Sequence, residues 1–313
     1  MEDSMRLNIS LPFFLIFFAL ISCSGEVIHR GPSSGASVEK EEVKDIAGVK
    51  KRVVVLKFLN ESPFEGDILE LDATAELNHA LKRTNRFILD PISANIFGDS
   101  KEIYSGGGLK LTQKSRAGRI AGINLVIFGR IIDARFRQKT DSVGVLNHST
   151  HYSEALVELR MYDITSKRQI FLETYRGVTD ASTLKRFAPH QEEYLAYRNQ
   201  QLRKAIRAAV RQGIPKMIRI ADRLGWRGRI ARVLGQNIYL NAGQKTGLLI
   251  GDILKVITSG REVYDPETGA LIGLSKGIVK GTIEIIEYVG EDGAVAILHS
   301  GGQVLSGDYV ELY

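Results

Sequence analysis

The chain has 313 residues, 42 Lys and Arg against 36 Asp and Glu, a formal charge of +6 and a pI near 9.2. That length holds two domains with cores of their own, and a basic balance of this size would ordinarily raise nucleic acid as a partner. An export-type leader argues against that partner and favours anionic lipid headgroups, lipopolysaccharide or an acidic protein face as the counter-charge, while a single cysteine excludes any intramolecular disulfide.

Leu11 to Ile21 is an apolar run without a charge. It has the length of a signal-peptide core and falls short of the ~20 residues that span a bilayer, so it is expected to be removed. Glu2 and Asp3 are unusual ahead of such a run, and a start at Met5 in place of Met1 would leave Arg6 as the positive residue. The run ends in Leu20-Ile21-Ser22-Cys23, on the only cysteine. This stretch resembles the lipobox of bacterial lipoproteins. The resemblance implies that the Cys23 thiol is diacylated, that cleavage follows Ser22, and that Cys23 becomes the first mature residue. Ser24 stands where inner-membrane retention uses Asp, which implies the outer membrane, periplasmic face. Two acyl chains, at ~0.8 kcal/mol per buried CH₂, would hold the chain there essentially permanently. The bland alternative is a signal peptide that ends near a buried cysteine. Because the leader carries Glu2, Asp3 and Arg6, its removal leaves 291 residues with a charge of +7.

Residues 23–50 lack apolar periodicity and contain Gly31-Pro32-Ser33-Ser34-Gly35 and the charge run Glu39-Lys40-Glu41-Glu42, the composition of a flexible tether. Arg52 to Leu59 then predicts a buried strand. Leu69, Ala73, Leu77 and Leu81 recur every four residues and predict a helix ending near Thr84, and Phe87-Ile88-Leu89 predicts a strand stopped by Asp90-Pro91. Gly106-Gly107-Gly108 lacks the Gly-Lys-Ser/Thr that a phosphate loop needs and is taken as an ordinary loop, with a helix from about Thr112 to Ala121. Strand patterns follow at Leu125 to Arg137, Ala155 to Tyr162 and Gln169 to Val178, the last two joined tightly through Asp163 to Lys167. These elements predict an α/β (α+β) layer with an antiparallel meander and one sheet face covered.

Arg52 to Phe58, Asn124 to Arg130 and the Val157 to Lys167 hairpin resemble the periplasmic domain of the CsgG-like family, which includes lipoproteins of curli secretion. That fold is also similar to peptidoglycan-synthase activator lipoproteins. The likeness covers about residues 51–224 and implies a CsgG/TolB-N-like domain. Curli exporters insert membrane hairpins into this meander, and such strands need ~9–11 residues of outward apolar alternation. Here residues 138–152 and 180–200 are polar, with Lys139, Asp141, Asn147, His148 and His151 in the first and Lys185, Arg186, His190, Glu192, Glu193 and Arg198 in the second. Unless they rearrange in an assembly, neither faces lipid cheaply. His148 and His151 lack a third ligand at metal spacing and are expected to be solvated.

From Tyr194 to Leu224 the period is helical, and Gly213 and Pro215 are expected to break or kink it. Arg203, Lys204, Arg207 and Arg211 fall mostly off its apolar stripe. They form either a solvated face or a docking surface, and replacing all four by Gln is expected to leave the melting temperature nearly unchanged while weakening partner or anionic-lipid binding.

Residues 225–313 hold 16 of the 31 glycines. Strands at Gly228 to Leu234, Asn237 to Leu240, Ile253 to Ile257, Glu262 to Tyr264, Thr282 to Tyr288, Ala294 to Leu298 and Tyr309 to Leu312 predict a small all-β barrel. Asp265-Pro266-Glu267-Thr268-Gly269 has the residues of a tight turn and lacks calcium-loop spacing. Asn237 to Gly243, Gly247 to Val256, Asp265 to Gly269 and Gly281 to Ile285 resemble the C-terminal domain of flagellar assembly protein T. That family helps build a ring around the flagellar motor at the outer membrane.

The domain plan is thus leader 1–22, tether 23–50, α/β domain 51–224 and barrel 225–313. No nucleophile, base and orienting acid fall into a catalytic arrangement, and no metal or cofactor motif is present. The expected role is a non-catalytic outer-membrane lipoprotein acting as adaptor or structural part of a curli-like or flagellar assembly. Its partners would be lipid through Cys23, envelope proteins and further copies of itself, and not nucleic acid. The alternatives are a CsgG-type pore and a peptidoglycan-synthase activator.

Overall fold

The computed structural model describes residues 48–313 except 65–66, 141–148, 181–190, 259 and 270, within a compact unit Lys44–Tyr313. In chain order the α/β part holds β1 (Lys51–Val55), β2 (Leu59–Asn60), α1 (Ile68–Arg83), β3 (Phe87–Leu89), α2 (Ala94–Phe97), α3 (Ser100–Ile120), β4 (Leu125–Thr140), β5 (Ser149–Asp163), β6 (Arg168–Asp180) and α4 (Gln191–Arg223). The barrel part holds β7 (Arg227–Leu234), β8 (Asn237–Leu240), β9 (Ile253–Ile257), β10 (Glu262–Tyr264), β11 (Leu271–Leu274), β12 (Val279–Val289), β13 (Gly293–Gly301) and β14 (Tyr309–Leu312).

The first sheet has the order β3-β1-β4-β5-β6, with β2 pairing β4 beyond the end of β1. β1 lies parallel to β3 and β4, while β4, β5 and β6 form the antiparallel meander. Both faces of its β1–β4 half are covered, where the sequence predicts cover on one. Val53, Val55, Leu125 and Ile127 pack with Leu77 of α1 and Ile206, Val210 and Met217 of α4. Their neighbours Val54, Leu56, Val126 and Phe128 point the other way, onto Ile103 and Leu111 of α3. Successive strand side chains alternate between faces, so an uninterrupted apolar run requires a layer on each side.

Two helices run further than the residue types suggest. Gly106-Gly107-Gly108 lies inside α3 and not in a loop. Glycine costs about 1 kcal/mol relative to alanine in a helix interior, but Ile103 and Leu111 on either side are buried in the sheet, and Asp99 caps the start by accepting from the Lys101 N–H. α4 continues for 33 residues through Gly213 and Pro215. A Cβ at Gly213 would sit 2.4 Å from Leu159 Cδ1 and 2.9 Å from Tyr175 Cε2. Glycine there lets the helix lie against β5 and β6. Pro215 is on the exposed side, where water can meet the carbonyl it leaves without a donor.

In the second part six strands close into a barrel in the order β12-β13-β8-β7-β14-β9. Its interior is filled by Trp226, Ile230, Leu240, Leu254, Val256, Ile283, Ile285 and Val310, among others. β10 and β11 form a separate two-stranded hairpin. The Asp265 to Gly269 turn closes it as the residues predict: the Asp265 carboxylate accepts from the Glu267 and Thr268 N–H groups, and Gly269 has φ +65°.

Candidate functional site

Cys23 and Ser22 lie outside the described residues, as do His148 and the side chain of His151. The basic stripe of α4 can be placed. Arg203 and Arg207 both donate to the buried Asp72 carboxylate of α1, through Nε and Nη2 of Arg203 and through Nη2 of Arg207 at 3.0 Å. One turn on, Arg211 Nε donates to Glu76 Oε1 at 2.5 Å, and Glu76 is also buried. Burial pushes the Asp72 pKa up, but the hydrogen bonds and charges of the two arginines outweigh it and hold the carboxyl below its usual range. Three of the four residues are therefore the seam between α1 and α4. Lys204, exposed and without a hydrogen bond or ion pair among the described residues, is the member turned outward.

A second charged cluster lies on the α3 face. Glu158 of β5 is buried and accepts from Arg130 Nε at 3.1 Å, Arg130 Nη2 at 2.9 Å and Arg160 Nε at 2.7 Å. Both guanidinium groups lie over the Tyr104 ring, 5.2 and 4.6 Å from its centroid. Despite burial, the arginines hold the Glu158 carboxyl below its usual range, and burial pushes the Tyr104 phenol up. Neither group titrates near neutral pH, so the cluster does not offer the matched acid and base of proton-transfer catalysis. Arg130 donates further to Glu61 at 3.0 Å, which ties β4 to the loop after β2.

The two parts are fastened by polar contacts at the start of β1. Arg52 Nη2 donates to Asp292 Oδ2 at 2.7 Å. Asp292 also accepts from the Gly243 N–H and from the N–H and hydroxyl of Thr246. Asn124 is buried and bridges the parts: its Oδ1 accepts from the Arg52 N–H at 2.9 Å, and its Nδ2 donates to the Arg227 carbonyl at 2.8 Å. Gly48 to Lys50, which the composition gives to the tether, lie against this junction. The Lys50 N–H donates to the Thr246 carbonyl at 2.7 Å, its Nζ donates to Asn85 Oδ1 at 2.8 Å, and Val49 packs on the barrel core. Asp292→Ala is expected to lower stability by about 3 kcal/mol, because one truncation removes the acceptor of four hydrogen bonds. Asp292→Asn should cost less, since its remaining oxygen still accepts. Thermal unfolding that leaves both variants within about 0.5 kcal/mol of wild type would remove this residue from the account.

β6 is the outermost strand of the sheet, with no strand on its far edge among the described residues. Leu172 and Val178 on it are each about half exposed, at 47%. Among the described residues no group of three or more His, Cys, Asp or Glu gathers to hold a metal, and no helix is long and apolar enough to cross a membrane.

The class defined is a mixed α+β protein in which a six-stranded sheet with helices adjoins a closed six-stranded barrel. No protein-family model matches the sequence, and no curated protein does. Solved structures do. A hypothetical protein, CT253, of Chlamydia trachomatis is 14% identical over 55% of this chain and 96% of its own, with a TM-score of 0.33. Lipoprotein GNA1162 of Neisseria meningitidis is 12% identical over 48% of this chain and 96% of its own, at 0.28. The LpoB C-terminal domain of Salmonella enterica is 14% identical over 41% and 82%, also at 0.28. At such scores they bear on neither activity nor partner.

Proposed function

We propose that this chain is a non-catalytic lipoprotein of the bacterial envelope, anchored through Cys23 to the periplasmic face of the outer membrane and acting as an adaptor in an envelope assembly. In this reading its sheet domain is of the CsgG-like kind, and its barrel is of the kind that ends flagellar assembly protein T. The observation that supports it most is where the chain from Cys23 enters the fold. Lys50 is hydrogen-bonded to the barrel at Thr246 and to the sheet part at Asn85 before β1 begins, and Val49 packs on the barrel core. A load on the anchor is thereby shared by both parts, as an adaptor requires. The outer edge of β6, with Leu172 and Val178 beside it, is the surface left for an envelope protein or a second copy. The ends of β4 and β5 favour this reading over a pore. Arg135 and Arg137 are exposed there, and each would cost about 2–4 kcal/mol facing the middle of a bilayer.

Cells fed an alkyne-tagged fatty acid test the anchor. The wild-type chain should carry the tag and sediment with outer membranes, while Cys23→Ser should be untagged and release into the soluble periplasm, because the acyl chains supply the membrane affinity. Sedimentation that is the same for both chains, or an untagged wild type, would remove the anchor from the proposal. Capture from crosslinked envelopes tests the adaptor role, and recovery of the chain with no envelope protein and no second copy would count against it.

A further inference from the structure

A cleft of about 430 Å³ opens where the lower end of the sheet meets the barrel part. It is walled by the start of β1 and β4, the β5–β6 turn, the end of α4, and residues from β7, β14 and the segment at and after β11. Its charged lining consists of Lys51, Arg168, Arg227 and Lys276 against Asp163 and Glu311. The carboxylates are already engaged. Glu311 pairs with Arg227, and Asp163 accepts from the Thr165 and Ser166 N–H groups at 2.9 and 3.1 Å. Beyond the Arg227–Glu311 pair the lining keeps Lys51, Arg168 and Lys276 against Asp163. Arg168 donates one N–H to the Ile272 carbonyl and keeps the rest of its fork. Lys276 is exposed.

Lys51 is the unusual member. It is only 9% exposed, yet its ammonium has no hydrogen bond or ion pair among the described residues. Asp222 and Asp163 attract it at longer range and Arg86 opposes it, and burial lowers its pKa. Its stem is buried while its ammonium reaches the cleft, where no protein acceptor among the described residues meets it. Lys51 begins β1 on the face where Val53 packs, close to the C-terminal end of α4, where the helix dipole gives it some support. That support supplies no acceptor.

We propose that the cleft binds a small phosphate monoester, its dianionic oxygens accepting from Lys51 and Arg168, with Lys276 at the mouth. Lys51, Arg168 and Lys276 stand against the one charge of Asp163, which its N–H hydrogen bonds leave in place, so the lining keeps a surplus of about two positive charges that a dianion matches and a single carboxylate does not. Thr165, Ser166 and Ser275 also line the space, and a hydroxyl can donate to the remaining oxygens. The ligand would join the sheet to the barrel, and the inference stands whether or not the chain is an adaptor.

The test uses the full chain purified in detergent, with inorganic phosphate and glycerol 3-phosphate as probes and chloride and acetate at matched ionic strength as controls. At about 10 mM, glycerol 3-phosphate should raise the melting temperature by about 2–4 °C and saturate, with the controls flat. Lys51→Met should abolish the shift, and Lys276→Gln and Arg168→Gln should each weaken binding about tenfold. Lys276 is exposed and has no hydrogen bond or ion pair among the described residues, so its variant keeps the test decisive should Lys51→Met not fold. Vesicles containing phosphatidic acid that compete with glycerol 3-phosphate would identify a lipid headgroup as the source, and failure to compete would identify a soluble ester. An equal shift with acetate, no saturation, or a shift undiminished in Lys51→Met and Lys276→Gln would overturn the proposal.

Discussion

Gly177→Ala is expected to destabilise the protein severely. The residue lies on β6 under α4. A Cβ built there would sit 1.9 Å from the Ala205 carbonyl oxygen, 2.6 Å from the Ala209 nitrogen and 3.0 Å from the Ala205 carbonyl carbon. All three are backbone atoms of α4, so no rotamer change can relieve the overlap. The helix must lift off the sheet or β6 must bend. Lifting α4 would also loosen Leu202, Ile206, Val210 and Met217, which bury the face of the sheet. Overpacking ordinarily costs about 1–3 kcal/mol, and a clash with a fixed helix backbone belongs at or above the upper end. The variant should unfold at least about 3 kcal/mol more easily or accumulate poorly. Gly225→Ala is the control: nothing lies within 4 Å of its added methyl, and Gly225 is not among the positive-φ glycines. It should stay within about 0.5 kcal/mol of wild type. Equal stability of the two variants would mean that α4 does not rest on β6 as described.

How much of this could be read from the sequence depends on whether the deciding forces are local. β3, β8, β9, β10 and β14 occupy the predicted residues, because turn-forming residues bound short strand patterns and need nothing distant. The Asp265 to Gly269 turn is legible for the same reason: its side-chain hydrogen bonds fall within the motif. α3 is misjudged at Gly106 to Gly108 because what holds it helical is burial of Ile103 and Leu111 on a sheet whose strands lie elsewhere in the chain. β11 is missed because Leu271 to Leu274 has only four residues, and a glycine among them, to signal a strand. The α1–α4 seam is partly visible. Asp72 and Glu76 repeat at four residues, as do Arg203, Arg207 and Arg211, but nothing in either helix alone says that the two repeats face each other across more than a hundred residues. Of the sites, Cys23 is a purely local motif, while Asn124 and Asp292 carry no signal that marks them as fasteners between the two parts.

The facing repeats change what substitution of the basic stripe should do. Arg203→Gln with Arg207→Gln leaves the Asp72 carboxylate buried without a guanidinium, and removing one side of a buried pair costs about 3–5 kcal/mol. Arg203 and Arg207 are themselves 36% and 39% exposed. Solvent screening and the remaining glutamine amides reduce that to about 2 kcal/mol, or a fall of about 4–8 °C in melting temperature. This replaces the expectation, drawn from the sequence, that glutamine at these positions is silent. The pH dependence separates an unpaired charge from lost packing. The Asp72 pKa is lowered by folding, so its pairing stabilises the protein fully above the unfolded carboxyl value of about 3.9. That contribution disappears as pH falls through the lower folded value. The gap between wild type and the double variant should be widest at neutral pH, begin to narrow as the unpaired Asp72, raised by burial, takes up a proton, and close once pH falls through the lowered value of the wild-type carboxyl. Adding Asp72→Asn should restore part of the lost stability at neutral pH, because it removes the stranded charge. A gap that persists unchanged into acid, or no recovery with Asp72→Asn, would mean the arginines act through their aliphatic stems. Docking is then tested cleanly at Lys204. Lys204→Gln should leave the melting temperature in place, so any loss of partner or anionic-lipid binding in that variant reports on the surface itself and not on a loosened helix pair.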